Sequence, residues 1–194
     1  EDFELWLNPS LAYGLDADTS VEVETAQRFR DASDGRSDTY FARLWINQRL
    51  SSELTLNGGL ERRINEPGNN EMRLLQQLSG SHGIVRTRLR LEQRFVDSAD
   101  RPGWRLRPRL GLSIPFDEND QWRFKADAEL FVTLRSTSSG GDHGLTGLRT
   151  QIGVSVEALP NLTLSVAYLR QQDFEDGGPD EVGHAPIIGA SFDL

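Results

Sequence analysis

From Ile84 to Phe116 the chain alternates, residue by residue, between apolar and basic side chains. Arg86, Arg88, Arg90, Glu92 and Arg94 share one phase, and Val85, Leu89, Leu91 and Phe95 the other. After a polar break, Arg105, Arg107, Arg109, Gly111 and Ser113 oppose Trp104, Leu106, Leu110, Leu112, Ile114 and Phe116. Successive strand side chains leave opposite faces, so a period of two over this length specifies β-strands with one greasy and one guanidinium-bearing face. A helix would scatter the arginines around its circumference.

The same alternation recurs along the chain. It is read over 3–14, 21–30, 39–50, 54–63, 71–78, 121–135, 145–159, 162–172 and 184–194. With the two organising strands this makes about eleven segments, and no segment has a period of 3.6. The breaks at 16–19, 51–52, 79–83, 117–120 and 160–161 are short, whereas those at 31–38, 65–70, 97–102, 136–144 and 173–182 are long. Short and long connections in turn describe an antiparallel up-and-down meander whose ends face different surroundings. The expected fold is a single all-β transmembrane barrel over residues 1–194, with short periplasmic turns and longer external loops. Eleven segments conflict with the even number required if both termini lie on the periplasmic side, so either two strands are merged, one segment lies outside the wall, or closure is parallel; twelve strands, or else ten, are expected.

A soluble barrel or sandwich with its apolar face inward is the competing reading of the alternation. Three features oppose it. The strands exceed the usual five or six residues. Aromatics (Phe3, Tyr13, Phe95, Trp104, Phe116, Trp122) fall near strand ends on the apolar face, as an interfacial girdle would. The polar face mixes charged and small residues, as a narrow lumen requires.

Charge separates by position. The long loops hold twelve carboxylates, among them Asp31, Asp34, Glu175 and Asp176, against Arg36 and Arg101. The net charge is −9, so the positive excess lies on the strands, and all but one of the 21 basic residues are arginine, the exception being Lys125. A negative overall balance argues against nucleic acid as a partner. No apolar run of 18 residues is present, so no transmembrane helix is expected. The chain opens on Glu1 with no signal-like segment, so an exported protein would have lost it. The absence of cysteine excludes a disulfide framework.

The basic rows are the candidate site. Arg86, Arg88, Arg90, Arg94, Arg105, Arg107, Arg109, Arg123 and Lys125 are expected to line the lumen as one wall, because neighbouring strands lie roughly 4.8 Å apart. Glu22, Glu24, Glu61, Glu92, Asp127 and Glu129 are the expected counter-charges, with Glu71 and Glu157 also facing inward. Such a wall either hands anions along a narrow pore or fills the interior with arginine–carboxylate pairs. The first reading is an outer-membrane channel or binding site for small anions or acidic sugars, with the bilayer, lipopolysaccharide and the barrel-assembly machinery as partners. The second is a closed structural or accessory barrel interacting through acidic external loops. A rim lipid hydrolase is third: His82, His143 and His184 are the available bases, but no nucleophile-elbow pattern surrounds a serine. No cofactor is expected. Asp173, Asp176, Asp180 and Glu181 are the only candidate metal ligands, and they lack EF-hand spacing.

The runs Arg88–Phe95, Trp104–Phe116, Asp127–Phe131 and Tyr168–Gln171, followed by a last strand led by His184, resemble the outer-membrane proteins grouped as domain of unknown function 2490. That resemblance is densest from residue 71 onward. It implies a barrel in the outer membrane of a Gram-negative bacterium and assigns no activity. Leu194 departs from the aromatic that usually ends such barrels, and Phe192 is the nearest one.

Overall fold

The computed structural model describes residues 2–30, 38–66, 68–174 and 179–194, and of Asp2, Phe3 and Arg30 the backbone alone. Eleven strands lie among these residues: β1 (Asp2–Gly14), β2 (Thr19–Arg30), β3 (Asp38–Arg49), β4 (Leu54–Glu66), β5 (Glu71–His82), β6 (Val85–Val96), β7 (Gly103–Pro115), β8 (Trp122–Arg135), β9 (Gly144–Leu159), β10 (Leu162–Asp173) and β11 (Glu181–Asp193). Each pairs antiparallel with its sequence neighbour, and β1 pairs with β11 to close the barrel.

That closing seam is parallel, from Asp2 opposite Gly183 to Ala12 opposite Asp193. The described residues therefore form eleven strands rather than the expected twelve. The parity rule assumes an antiparallel seam, whereas a parallel ladder satisfies the edge N–H and C=O groups of both strands equally well in principle. Two bonds lock the seam at its short-turn end: Gly14 N–H donates to Leu194 O at 3.1 Å and Leu194 N–H to Ala12 O at 2.9 Å.

Strand β5 runs on through Ser79–His82, a segment the alternation assigned to a turn. Ser79 pairs with Arg88 and His82 with Val85. Ladder hydrogen bonds use only backbone groups, so a run of Ser, Gly and His continues a strand when its neighbour is long enough. Gly83, at φ +58°, then makes the reversal, a conformation open to glycine at no steric cost.

The two faces sort as the alternation requires. The outer wall exposes Val23, Leu44, Leu60, Leu89, Leu110, Leu130, Val166 and Ile188. Outward aromatics gather at both ends. Tyr13, Phe116, Trp122 and Phe192 lie toward the short turns, and Phe29 and Phe95 toward the long loops. The buried apolar residues are few and lie inside: Trp6, Leu169, Ala185 and Ile187 form one cluster on β1, β10 and β11.

Two long loops brace one another. Arg101 donates from Nε to Ser136 O and from Nη2 to Ser138 O, both at 3.0 Å. Arg135 Nε donates to Pro102 O at 2.8 Å. The loop residues Asp31, Asp34, Arg36, Glu175 and Asp176, and the side chain of Phe3, lie outside what the structure describes.

Candidate functional site: an arginine-rich lumen

Strand neighbours carry their inward residues at matched heights, so carboxylates on one strand meet arginines on the next. On β3 and β4, Arg43 Nε donates to Glu61 Oε2 at 2.8 Å, and Arg43 also bonds Glu24 on β2. Glu61 in turn faces Arg73 on β5 at 3.3 Å. Arg73 Nη2 donates to Glu71 at 2.6 Å, and Arg94 Nε on β6 donates to the same carboxylate at 2.5 Å. Glu92 on β6 accepts from Arg105 at 2.7 Å and from Arg107 at 2.6 Å. Glu129 on β8 accepts from Arg107 at 2.6 Å and from Arg88, with Arg149 on β9 at 3.8 Å. Arg109 bonds Asp127. A belt of alternating charge thus runs from β2 to β9, with Glu61, Glu92 and Glu129 at most 2 % exposed. Between Arg149 and Glu24 the ring is closed by the apolar cluster on β10, β11 and β1.

Indole and phenyl rings complete the interior. Arg28 lies 3.8 Å over Trp6, and Arg107 lies 4.6 Å over Phe131. Stacking of this kind places a guanidinium where its face is satisfied without a carboxylate. The Trp45 ring sits against Gly59, the residue paired opposite it. A Cβ at Gly59 would fall 2.5 Å from Trp45 Cε3, so glycine is what lets the indole lie flat against the wall.

Open volumes interrupt the packing. A cavity of about 180 Å³ lies at mid-barrel among Trp6, Asn8, Arg28, Arg63, Arg149 and Glu129. A larger one of about 470 Å³ opens at the short-turn end, where Arg86, Arg88, Arg109, Arg123 and Lys125 face one carboxylate, Asp127. Across that mouth lies an acidic flank holding Asp16, Asp18 and Glu22.

All nine basic residues expected to line the lumen occur on inward strand positions, in three settings. Arg88, Arg94, Arg105, Arg107 and Arg109 are held by carboxylates. Arg90 donates through Nε to Gln77 Oε1 at 2.7 Å, with Glu92 4.0 Å away. Arg86, Arg123 and Lys125 form no ion pair among the described residues, and Arg86 caps the Gly83 and Val85 carbonyls. Of the six expected counter-charges, Glu24, Glu61, Glu92, Asp127 and Glu129 meet arginines. Glu22 does not; it stands on the acidic flank of the mouth.

The candidate metal ligands are not gathered. Asp173 accepts from Gln171 and Asp180 from Gln172, side chains of opposite phase on β10, and Asp176 lies outside the described residues. Among the described residues no group of three potential ligands converges. His184 Nδ1 meets the Tyr168 hydroxyl at 2.8 Å and His82 meets Glu53 at 3.0 Å, so neither is paired with a serine.

The basic rows alone miss Arg28, Arg43, Arg63, Arg73 and Arg149, which complete the belt, and the aromatic lining of Trp6, Phe41, Trp45 and Phe131. Their phase was available: each shares its strand's polar phase, and an isolated arginine or tryptophan in that phase is as much a lumen residue as a row of them.

Among solved structures, the NanC porin matches with a TM-score of 0.63 at 11% identity, covering 100% of this chain and 99% of that one. The KdgM porin matches with a TM-score of 0.54 at 11% identity, covering 84% of this chain and 81% of that one. Identity this low establishes a shared barrel fold. No curated protein matches. The family pattern that matches spans residues 3–182, nearly the whole closed wall with its belt of paired charges, and on that ground the chain belongs to the family described as Protein of unknown function (DUF2490).

Proposed function

We propose that this protein is an outer-membrane β-barrel of a Gram-negative bacterium that admits small anions, acidic sugars among them, through a narrow arginine-lined lumen, and that it catalyses no reaction. The exposed apolar wall with aromatics at both ends supports bilayer insertion. Insertion brings the lipopolysaccharide leaflet and the barrel-assembly machinery as partners. The porins that share the fold support a conduit. The observation that carries the reading is one side of the mouth, where Arg86, Arg123 and Lys125 face inward and form no ion pair among the described residues, while the carboxylate beside them, Asp127, is held by Arg109. Uncompensated cations in a confined, low-dielectric passage attract anions and repel cations.

Planar-bilayer recording tests this. The expected result is a small conductance with anion preference in a salt gradient. A reconstituted barrel that passes no current would instead favour a closed structural barrel, a reading supported by the belt itself, whose pinned carboxylates crowd mid-barrel.

A further inference from the structure

We infer that the mid-barrel cavity is a binding site for one small hydroxy-carboxylate. Eight arginines line it against two carboxylates, Glu24 and Glu129. Both carboxylates are already engaged, by Arg43 and by Arg107. Glu61, Glu92 and Asp127, behind the lining, hold Arg43, Arg63, Arg90, Arg107 and Arg109 as well. Glu61 and Glu92 are each shared among arginines, however, so a positive excess remains in a confined space, where like charges repel unless an anion intervenes.

Unused hydrogen-bonding groups specify the chemistry. The Nε atoms of Arg28, Arg63 and Arg88 are buried and have no hydrogen-bond partner among the described residues, and all three residues line this cavity. Guanidinium edges match planar carboxylates in geometry and charge. On the same cavity wall, Asn8 Oδ1 is buried and unpaired as well. It is an acceptor, so an anion that offers only acceptors leaves it unsatisfied. A ligand bearing both a carboxylate and a hydroxyl group satisfies the two sets together. A volume of about 180 Å³ holds roughly six water-sized groups at about 30 Å³ each, the size of a short hydroxy acid such as lactate.

The site rests on the reading that anions reach the lumen, yet it is tested separately. Calorimetric titration of the purified barrel in detergent uses sodium lactate, sodium acetate and sodium chloride at matched ionic strength. Lactate is expected to bind saturably at one site. Acetate, which lacks the hydroxyl, is expected about tenfold weaker, the worth of one hydrogen bond to a buried group. Asn8→Leu is expected to bring lactate down to the acetate value and leave acetate unchanged. The double change Arg28→Gln with Arg63→Gln is expected to abolish both, with circular dichroism confirming a folded barrel. Should that double variant fail to fold, the Asn8→Leu comparison decides. Equal affinity for lactate and acetate in the wild type, or no saturable carboxylate binding, overturns the site. Conductance without saturable binding refutes the site and leaves the conduit. Binding without conductance refutes the conduit and leaves the site.

Discussion

Arg107 holds Glu129 through two parallel hydrogen bonds, Nε to Oε1 at 3.1 Å and Nη2 to Oε2 at 2.6 Å, while its third nitrogen, Nη1, reaches Glu92 at 2.6 Å. One guanidinium thus ties β6 and β8 to β7 across the interior. Removing one partner of a buried pair leaves the others uncompensated, at a cost of about 3–5 kcal/mol. Glu129→Gln is therefore expected to be strongly destabilising, because Arg88, Arg107 and Arg149 all lose their shared carboxylate. Urea unfolding of the refolded barrel in lipid vesicles measures this, and a change below about 1 kcal/mol would mean that the belt contributes little to stability.

The mouth cations behave differently. Arg86, Arg123 and Lys125 make no ion pair among the described residues, so neutralising them strands no carboxylate. The triple change Arg86→Gln, Arg123→Gln and Lys125→Gln is expected to leave the unfolding midpoint nearly unchanged. It should also lower or abolish anion preference, read from the reversal potential in a salt gradient. A retained preference would move the selectivity to the arginines of mid-barrel.

Leu110 projects outward near the middle of β7 and is 62 % exposed. If that wall meets hydrocarbon, Leu110→Arg costs about 2–4 kcal/mol in a bilayer. In a soluble barrel it would be nearly neutral. Unfolding of the two proteins in vesicles distinguishes these cases.

The turn after β7 is built on Asp117, whose carboxylate accepts the backbone N–H groups of Trp122 at 2.7 Å, Gln121 at 3.2 Å and Asn119 at 3.3 Å. The bond from Trp122 is the leading cause holding its pKa below the ordinary value of 3.8. A depressed carboxylate stabilises the fold above its unfolded pKa, and that contribution fades as the pH falls through the lower folded value. The stability gap between wild type and Asp117→Asn is therefore expected to be constant near neutral pH and to shrink only below about pH 4. Equilibrium unfolding across pH 2–7 (an approximate window set by ordinary carboxylate titration) checks the sign. A gap that widens toward acid would show that the carboxylate is not the stabilising form.

Gly59→Ala places a methyl group against the Trp45 indole. The ring must leave its position at an expected cost of about 1–3 kcal/mol, visible as a red shift in tryptophan fluorescence. An unchanged emission maximum and midpoint would show that the contact tolerates the added methyl group.

Much of this molecule can be read from its alternation. A period of two assigns every side chain to one of two faces without knowledge of partners, so Leu110 outward and Arg107 inward follow from phase alone. Loop lengths likewise order the strands into a meander, since short connections permit little else. The phase does not say which arginine meets which carboxylate. That depends on register, on the bulge between Phe131 and Val132, and on neighbours brought together from distant sequence, as with Arg88 and Glu129. Closure was legible in part: eleven strands joined antiparallel in chain order leave the first and last pointing the same way, so a closed wall of eleven needs a parallel seam. That the wall closes at eleven, in the register that sets Asp2 opposite Gly183, only the tertiary structure decided. The mid-barrel cavity belongs to the same class, because Asn8, Arg28, Arg63 and Arg149 converge only when the sheet becomes a cylinder.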